Sequence, residues 1–298
     1  MIVVFGSINL DVIFALPKIP ISGETILSRD VTIAAGGKGG NQAAAAALDG
    51  VLVKMVGAVG RDALSAGALG GLRDAGVDIS RVIEVAATTG CAAIFVAASG
   101  DNAIGVGSGA NLLARADQVE DSLLSPETTL VLQMEVPAEE TERLIRRARD
   151  RGARIVLNLA PAAPLAREAL ARVDLLVVNE AEAAWLGAHL GCDAAALHQT
   201  LEVDLVRTLG AGGAVFSGRS EEIHVAAHPV AVVDTTAAGD CFVGVLAAAL
   251  DRGLPIAAAL HRASVAAGLA CARHGTQTSL PRGSETDAAL AGGIKAGP

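Results

Sequence analysis

From Thr129 to Val233 the chain alternates short apolar runs with helix-forming stretches, and this alternation narrows the fold more than any other feature. The runs Thr129–Met134, Arg154–Leu157, Leu175–Val178, Leu205–Arg207 and Val230–Val233 have the length and branched-residue content of strands. Separated by helical patterns, they predict a parallel sheet covered by helices. Ile2–Phe5 is a further continuous apolar run, ending at Gly6, and suits a strand buried on both faces. Polar residues stand just past the strands: Asn9 and Asp11 after the first, then Glu135, Asn158, Asn179, Thr208 and Asp234. Ligands of open α/β sheets bind outside the carboxyl ends of the strands, so these residues are expected to line one rim.

The stretch Val233 to Phe242 is the expected chemical centre. Beyond it, Phe242, Val245, Leu246, Ala249 and Leu250 recur at the spacing of an amphipathic helix that Gly253 and Pro255 stop. Ala237, Ala238 and Gly239 then fall in or just before the first turn, where backbone N–H groups lack intrahelical acceptors and small side chains leave room for a phosphoryl group. Asp234 and Asp240 bracket this turn; an acidic residue at a helix start also serves as a cap.

The N-terminal third reads differently. Between Asp11 and Ala35 lie short extended pieces, Thr25–Leu27 and Val31–Ala34, punctuated by Pro17, Pro20 and Gly23, as in a small sheet projecting from the main body. Cys91–Ala98, the turn Ser99-Gly100-Asp101-Asn102 and Ile104–Val106 predict a hairpin that completes that sheet. The loop Gly36-Gly37-Lys38-Gly39-Gly40-Asn41-Gln42 runs into the helix-prone Ala43–Leu48. It is not a Walker A loop, because Gly39 stands where that motif needs Ser or Thr; it is either a flexible turn or a place where backbone, Lys38 or Asn41 approaches a ligand. Leu52–Val56 and Val82–Val85 predict strands, with a helix opening at Gly57–Asp62 and ending near Gly76. Glu139–Arg151 reads as a solvated helix, Trp185 as core, and Ile256–Ala272 as an alanine-rich helix.

Composition excludes several classes. At 298 residues, 52% hydrophobic and 18% charged, the chain can bury a large core. A formal net charge of −9 argues against a general nucleic-acid binder and favours small-molecule partners. Cys91, Cys192, Cys241 and Cys271 are scattered, and the six histidines have no metal spacing, so reduced thiols in a cytoplasm are expected. Mean hydropathy is +0.48, yet no uncharged run approaches the roughly 20 residues needed to span a bilayer.

Five motifs in order, Gly6-Ser7-Ile8-Asn9-Leu10-Asp11, Gly36 to Ala43, Asn179-Glu180-Ala181-Glu182, Thr208-Leu209-Gly210 and Asp234 to Asp240, resemble the ribokinase group of the PfkB family of carbohydrate and nucleoside kinases. The resemblance implies a doubly wound, mostly parallel α/β domain over residues 1–298, with a β-sheet lid from segments of about 12–35 and 88–107, often dimeric through that lid. It implies transfer of the γ-phosphate of ATP to a sugar hydroxymethyl group, the 5-hydroxyl of D-ribose being the first candidate and deoxyribose, another sugar or a nucleoside the alternatives, with a non-catalytic sugar-binding regulator on the same fold as the rival of another class. Asp240 matches the base, and Ala237, Ala238 and Gly239 the anion hole. Asn9, Asp11, Gly37, Lys38, Asn41 and Glu135 match sugar-binding positions, and Asn179, Glu182, Thr208 and Gly210 the nucleotide and Mg²⁺ side. Asp234, Thr236, Ala270, Arg273, Gly275 and Ser279 match a monovalent-cation site, normally K⁺. Gly40, Gly107, Ser108 and the segment Asn158-Leu159-Ala160-Pro161 depart from the group's usual residues, which bears on the choice of sugar.

Overall fold

Every residue of the first strand is fully buried, and its alternation sends Ile2 and Val4 into one core and Val3 and Phe5 into another. This is the pattern of a strand with helices on both sides. The computed structural model describes residues 1–99 and 101–292. In its first part β1 (Ile2–Phe5) leads to β2 (Asn9–Leu16), β3 (Asp30–Gly36), α1 (Lys38–Leu48), β4 (Val53–Gly60), α2 (Leu64–Ala68), α3 (Gly70–Asp74), β5 (Asp78–Val85), β6 (Gly90–Ala97) and β7 (Asn102–Gly107). Next come β8 (Thr129–Leu132), α4 (Ala138–Asp150), β9 (Arg154–Asn158), α5 (Arg167–Leu170), β10 (Leu175–Asn179), α6 (Glu180–Leu190), α7 (Leu197–Leu201) and β11 (Asp204–Thr208). The hairpin β12 (Ala214–Ser217) and β13 (Glu222–Val225) precedes α8 (Ala238–Asp251), α9 (Ile256–Cys271) and α10 (Gly283–Gly292).

Nine strands form one sheet in the order β13-β12-β11-β10-β9-β8-β1-β4-β5, parallel from β11 to β5 and antiparallel at β12 and β13. Chain order reverses between β1 and β8, where the ends of two neighbouring strands diverge and leave a crevice. The second sheet, β3-β2-β6-β7, draws on two chain segments, with β2 antiparallel to β3 and parallel to β6. The expected hairpin is present as β6 and β7; Gly100 of its turn lies outside the described residues.

Several expectations are corrected. Val230–Val233 is not a strand: Val232 and Val233 are 65% and 46% exposed, and the Val233 and Asp234 N–H groups donate to the Cys271 carbonyl. The valines favour extended backbone, but the edge position is taken by the unanticipated β12–β13 hairpin. Gly57–Gly60 continues β4 instead of opening a helix, and Asp62 caps the shorter α2 by accepting from the Leu64 and Ser65 N–H groups. Thr25–Leu27 is not a strand. Asn9 and Asp11 belong to β2 of the small sheet, so they reach the rim as the start of a new strand. Helix α4 is not solvated all round, since Thr141, Leu144, Ile145 and Ala148 form a buried stripe. Trp185 is half-buried and stacks on His189 with centroids 5.2 Å apart.

Helices α1 and α8 pack side by side through small residues. A Cβ on Gly244 would stand 2.4 Å from the Gln42 carbonyl oxygen and 2.7 Å from the Ala45 Cβ, so only glycine admits this approach. Gly244→Ala is therefore expected to cost about 1–3 kcal/mol, read as a lower urea midpoint at unchanged slope. An unaltered midpoint would mean the two helices part without penalty.

Candidate active site

The crevice between β1 and β8 is closed by polar side chains from both strand ends. Ser7 Oγ donates to Glu135 Oε2 at 2.5 Å, and the Lys38 N–H donates to the same oxygen at 3.0 Å. The Gly39 and Gly40 N–H groups donate to Ser7 Oγ and Ser7 O, at 3.2 and 2.8 Å. The first turn of α1 is thus satisfied by protein and offers no open donors. Gly37 makes the contact possible: its φ is +84° and a Cβ would meet the Asn9 nitrogen at 2.8 Å.

Asn9, Asp11, Asn41 and Asp240 converge here and are buried. Asn111 Nδ2 donates to Asn9 Oδ1 at 2.7 Å, while Asn111 Oδ1 accepts from the Ile8 N–H at 2.9 Å. Asn41 Nδ2 donates to Asp240 Oδ2 at 2.9 Å. Asp11 Oδ1 and Asn41 Oδ1 have no hydrogen-bond partner among the described residues. Two buried, unpartnered acceptors cost stability unless a ligand supplies donors. Burial pushes the Asp11 carboxyl up to about 7, helped by the neighbouring Glu135 and Asp240 carboxyls. The Lys38 ammonium is raised, mainly by Asp240, against the opposing effect of its burial and with further help from Glu135 and Glu182.

Helix α8 begins differently from α1. Its cap, Ala237, has left-handed backbone (φ 59°), a conformation that costs a non-glycine residue about 1–2 kcal/mol and concentrates at functional sites. Ala238 N–H has only a 3.2 Å contact with the Thr235 carbonyl, and no described residue accepts from the Gly239 or Asp240 N–H. Ala238 and Gly239 line a cavity of about 820 Å³, with Asn179, Thr208, Gly210 and His228 on its other walls. Open N–H groups at the positive end of a helix, facing a cavity, are an anion site.

The other expected residues are placed unevenly. Asn179 and Glu182 cap α6 reciprocally, the Asn179 side chain accepting from Glu182 N–H and Glu182 Oε2 from Asn179 N–H, both at 2.8 Å. Glu182 is off the cavity wall, and burial raises its carboxyl. Asp234 accepts from the Thr236 N–H (2.9 Å) and the Gly275 N–H (3.1 Å), which brings those three together. Burial pushes its carboxyl up, but these hydrogen bonds outweigh it and hold it below the ordinary value. The Arg273 side chain turns to Glu285, and Ser279 Oγ donates to the Thr276 carbonyl. Among the described residues no three His, Cys, Asp or Glu are grouped to hold a metal, and no helix is long and apolar enough to cross a membrane.

Asn111, Gln42 and Gln133 were missed. Gln133 sits inside the predicted strand Thr129–Met134, but β8 ends at Leu132, so it is the first polar residue beyond a central strand. A glutamine interrupting an apolar run was its only signal.

The pfkB family carbohydrate kinase profile matches residues 1–283. The chain is 36% identical to the ribokinase of Bacillus subtilis, over 97% of this chain and 99% of that one. It is 32% identical to a deoxyribokinase of Salmonella typhi, over 94% and 95%. The structure of Arabidopsis thaliana ribokinase complexed with ribose and ATP superposes with a TM-score of 0.88 at 30% identity, covering 97% of this chain and 98% of that one.

A carboxyl raised on folding favours the folded state fully below its unfolded value of 3.8 and loses that contribution as pH rises through about 7. Relative to wild type, Asp11→Asn should therefore gain stability between pH 5 and 8 in the ligand-free protein, most at pH 8. Urea unfolding across that range checks it; a pH-independent difference would contradict the assigned titration.

Proposed function

We propose, for a chain that belongs to the PfkB family of ATP-dependent carbohydrate kinases, that the acceptor is D-ribose, phosphorylated at its 5-hydroxyl to ribose 5-phosphate. The observation that carries this reading is the pair of buried, unpartnered acceptors, Asp11 Oδ1 and Asn41 Oδ1, beside Asp240. A polyol supplies donors to both, and Asn9, Gly37, Lys38 and Glu135 complete the sugar side.

In this reading the sugar's primary hydroxyl meets Asp240, which takes its proton as the hydroxyl oxygen bonds to the γ-phosphorus and the bond to the β–γ bridging oxygen breaks. The N–H groups of Ala238, Gly239 and Asp240 receive the charge on the transferring group, and the Ala237 turn aims them. Lys38, the cation coupled to Asp240 and Glu135, balances the carboxylates around the acceptor. Asn179, Thr208 and Gly210 receive the nucleotide in the large cavity. Mg²⁺ binds mostly to phosphate and water oxygens with one or two carboxylates. Here Asn179 would face it from the cavity wall, Glu182 would act behind through its cap on Asn179, and the ion would neutralise phosphate charge.

A monovalent cation, K⁺ by preference, fits the loop at Asp234. The carboxylate there is anionic, the remaining donors are oxygens of Thr236, Ala270, Arg273, Gly275 and Ser279, and the Arg273 guanidinium is drawn away by Glu285. One face of the small sheet carries exposed Val31 and Ile33 on β3 beside Phe14 of β2 and Phe95 of β6, and supports a homodimer formed lid to lid.

Coupled ATP-turnover assays over ribose, deoxyribose, other sugars and nucleosides should give the highest kcat/KM with ribose; preference for deoxyribose would transfer the assignment to that sugar. Asp240→Asn should keep ribose binding while kcat falls at least about 10²-fold, and near-normal turnover would remove Asp240 from the base role. Exchanging K⁺ for Li⁺ or tetramethylammonium should lower kcat, whereas equal rates in all three would remove the cation from the mechanism.

A further inference from the structure

A chain of buried amides stands behind Asp240, and its donors and acceptors run in one direction. Gln133, fully buried at the end of β8, donates from Nε2 to Gln42 Oε1 at 2.7 Å. It can enter because residue 6 is glycine: a Cβ there would lie 1.9 Å from Gln133 Oε1. Because the Asp240 carboxylate only accepts, Gln42 turns its NH₂ towards it and its oxygen towards Gln133, whose own Oε1 has no partner among the described residues. That NH₂ donates one bond to Asp240 Oδ1 and one to Asn158 Oδ1, both at 3.0 Å. Asn158 is oriented in turn, since its own Nδ2 donates to the Val177 carbonyl at 3.2 Å. The order of donors therefore runs from Gln133 to Gln42, where it branches to one oxygen of Asp240 and to Asn158, and Asn41 holds the other Asp240 oxygen. Both carboxylate oxygens are gripped by consecutive residues of α1, which fixes the carboxylate plane and leaves the remaining lone pairs for a substrate proton.

We propose that Gln42, oriented by Gln133 and Asn158, is a positioning residue that holds Asp240 ready to take the acceptor's proton. The proposal rests on Asp240 being the base. Gln42 and Gln133 have no place in the sugar or nucleotide contacts assigned above, so their loss acts through Asp240. Hydrogen bonds from neutral donors fix the direction of the carboxylate's free lone pairs, which a base requires.

Near-isosteric methionine variants separate this role from packing. Gln42→Met should lower kcat by about 10- to 100-fold, a part of the 10²- to 10⁴-fold that a positioned base contributes. Gln133→Met, one bond further away, should lower kcat by about 3- to 10-fold, with ribose KM and calorimetric ribose affinity changed less than about 3-fold. Because Gln133 acts through Gln42, the double variant should be no slower than Gln42→Met, and Gln42→Met should add nothing to Asp240→Asn. Wild-type kcat in Gln133→Met, multiplicative losses in the double variant, or ribose affinity falling in step with kcat would each overturn the proposal. Gln133→Met, which does not touch Asp240, keeps the test open if Gln42→Met fails to fold. If Asp240→Asn itself turns over normally, the base assignment fails; if it is inactive while Gln133→Met and Gln42→Met are wild type, the positioning role alone fails.

Discussion

The close approach of α1 to α8 is the contact on which the rest of the site depends. Asn41 and Gln42 extend from one helix and Asp240 from the other, and side chains of this length meet at 2.9–3.0 Å only if the helix backbones nearly touch. Alanines on α1 and Gly244 on α8 permit this, and the buried alanines and valines of α8 seat it against the sheet. The cost of glycine in a helix, about 1 kcal/mol relative to alanine, is offset by a geometry no larger residue allows.

The two helix starts then divide their labour. Ser7 and Glu135 consume the first N–H groups of α1, so that end serves to anchor the loop carrying Lys38. The first N–H groups of α8 stay open to the large cavity, held there by the left-handed Ala237. Around this point the carboxyls of Asp11, Glu135 and Asp240 gather, with Lys38 the cation beside Asp240 and Glu135; burial, and then the two neighbouring carboxyls, raise Asp11.

The alternating pattern after Thr129 and the polar residues past the strands already marked the parallel sheet and its functional rim, because a doubly covered strand must be apolar throughout and a rim must be solvated. The Val233–Phe242 stretch was likewise readable as a helix start with small residues. Less visible were the edge of the sheet and the end of β8. Val230–Val233 has strand-like side chains, but whether such a run pairs depends on which edge is free, and β13 takes it. Gln133 looked like an interior strand residue until the strand proved to stop one residue earlier.

By itself, the sequence determined the layer architecture and the residue types at the rim, since these follow from periodicity and local backbone preference. Tertiary structure alone decided which rim residues face one another. Asn41 and Asp240 are 199 residues apart in the chain, and Gln133 and Gln42 are 91 apart; their hydrogen bonds come from strand order and helix packing. The same packing gave the two aspartates around the α8 turn different surroundings, Asp240 gripped by amides in a buried crevice and Asp234 held by backbone N–H groups in an outer loop. Local sequence sets what a side chain can donate or accept, but only the fold sets the distance across which it does so.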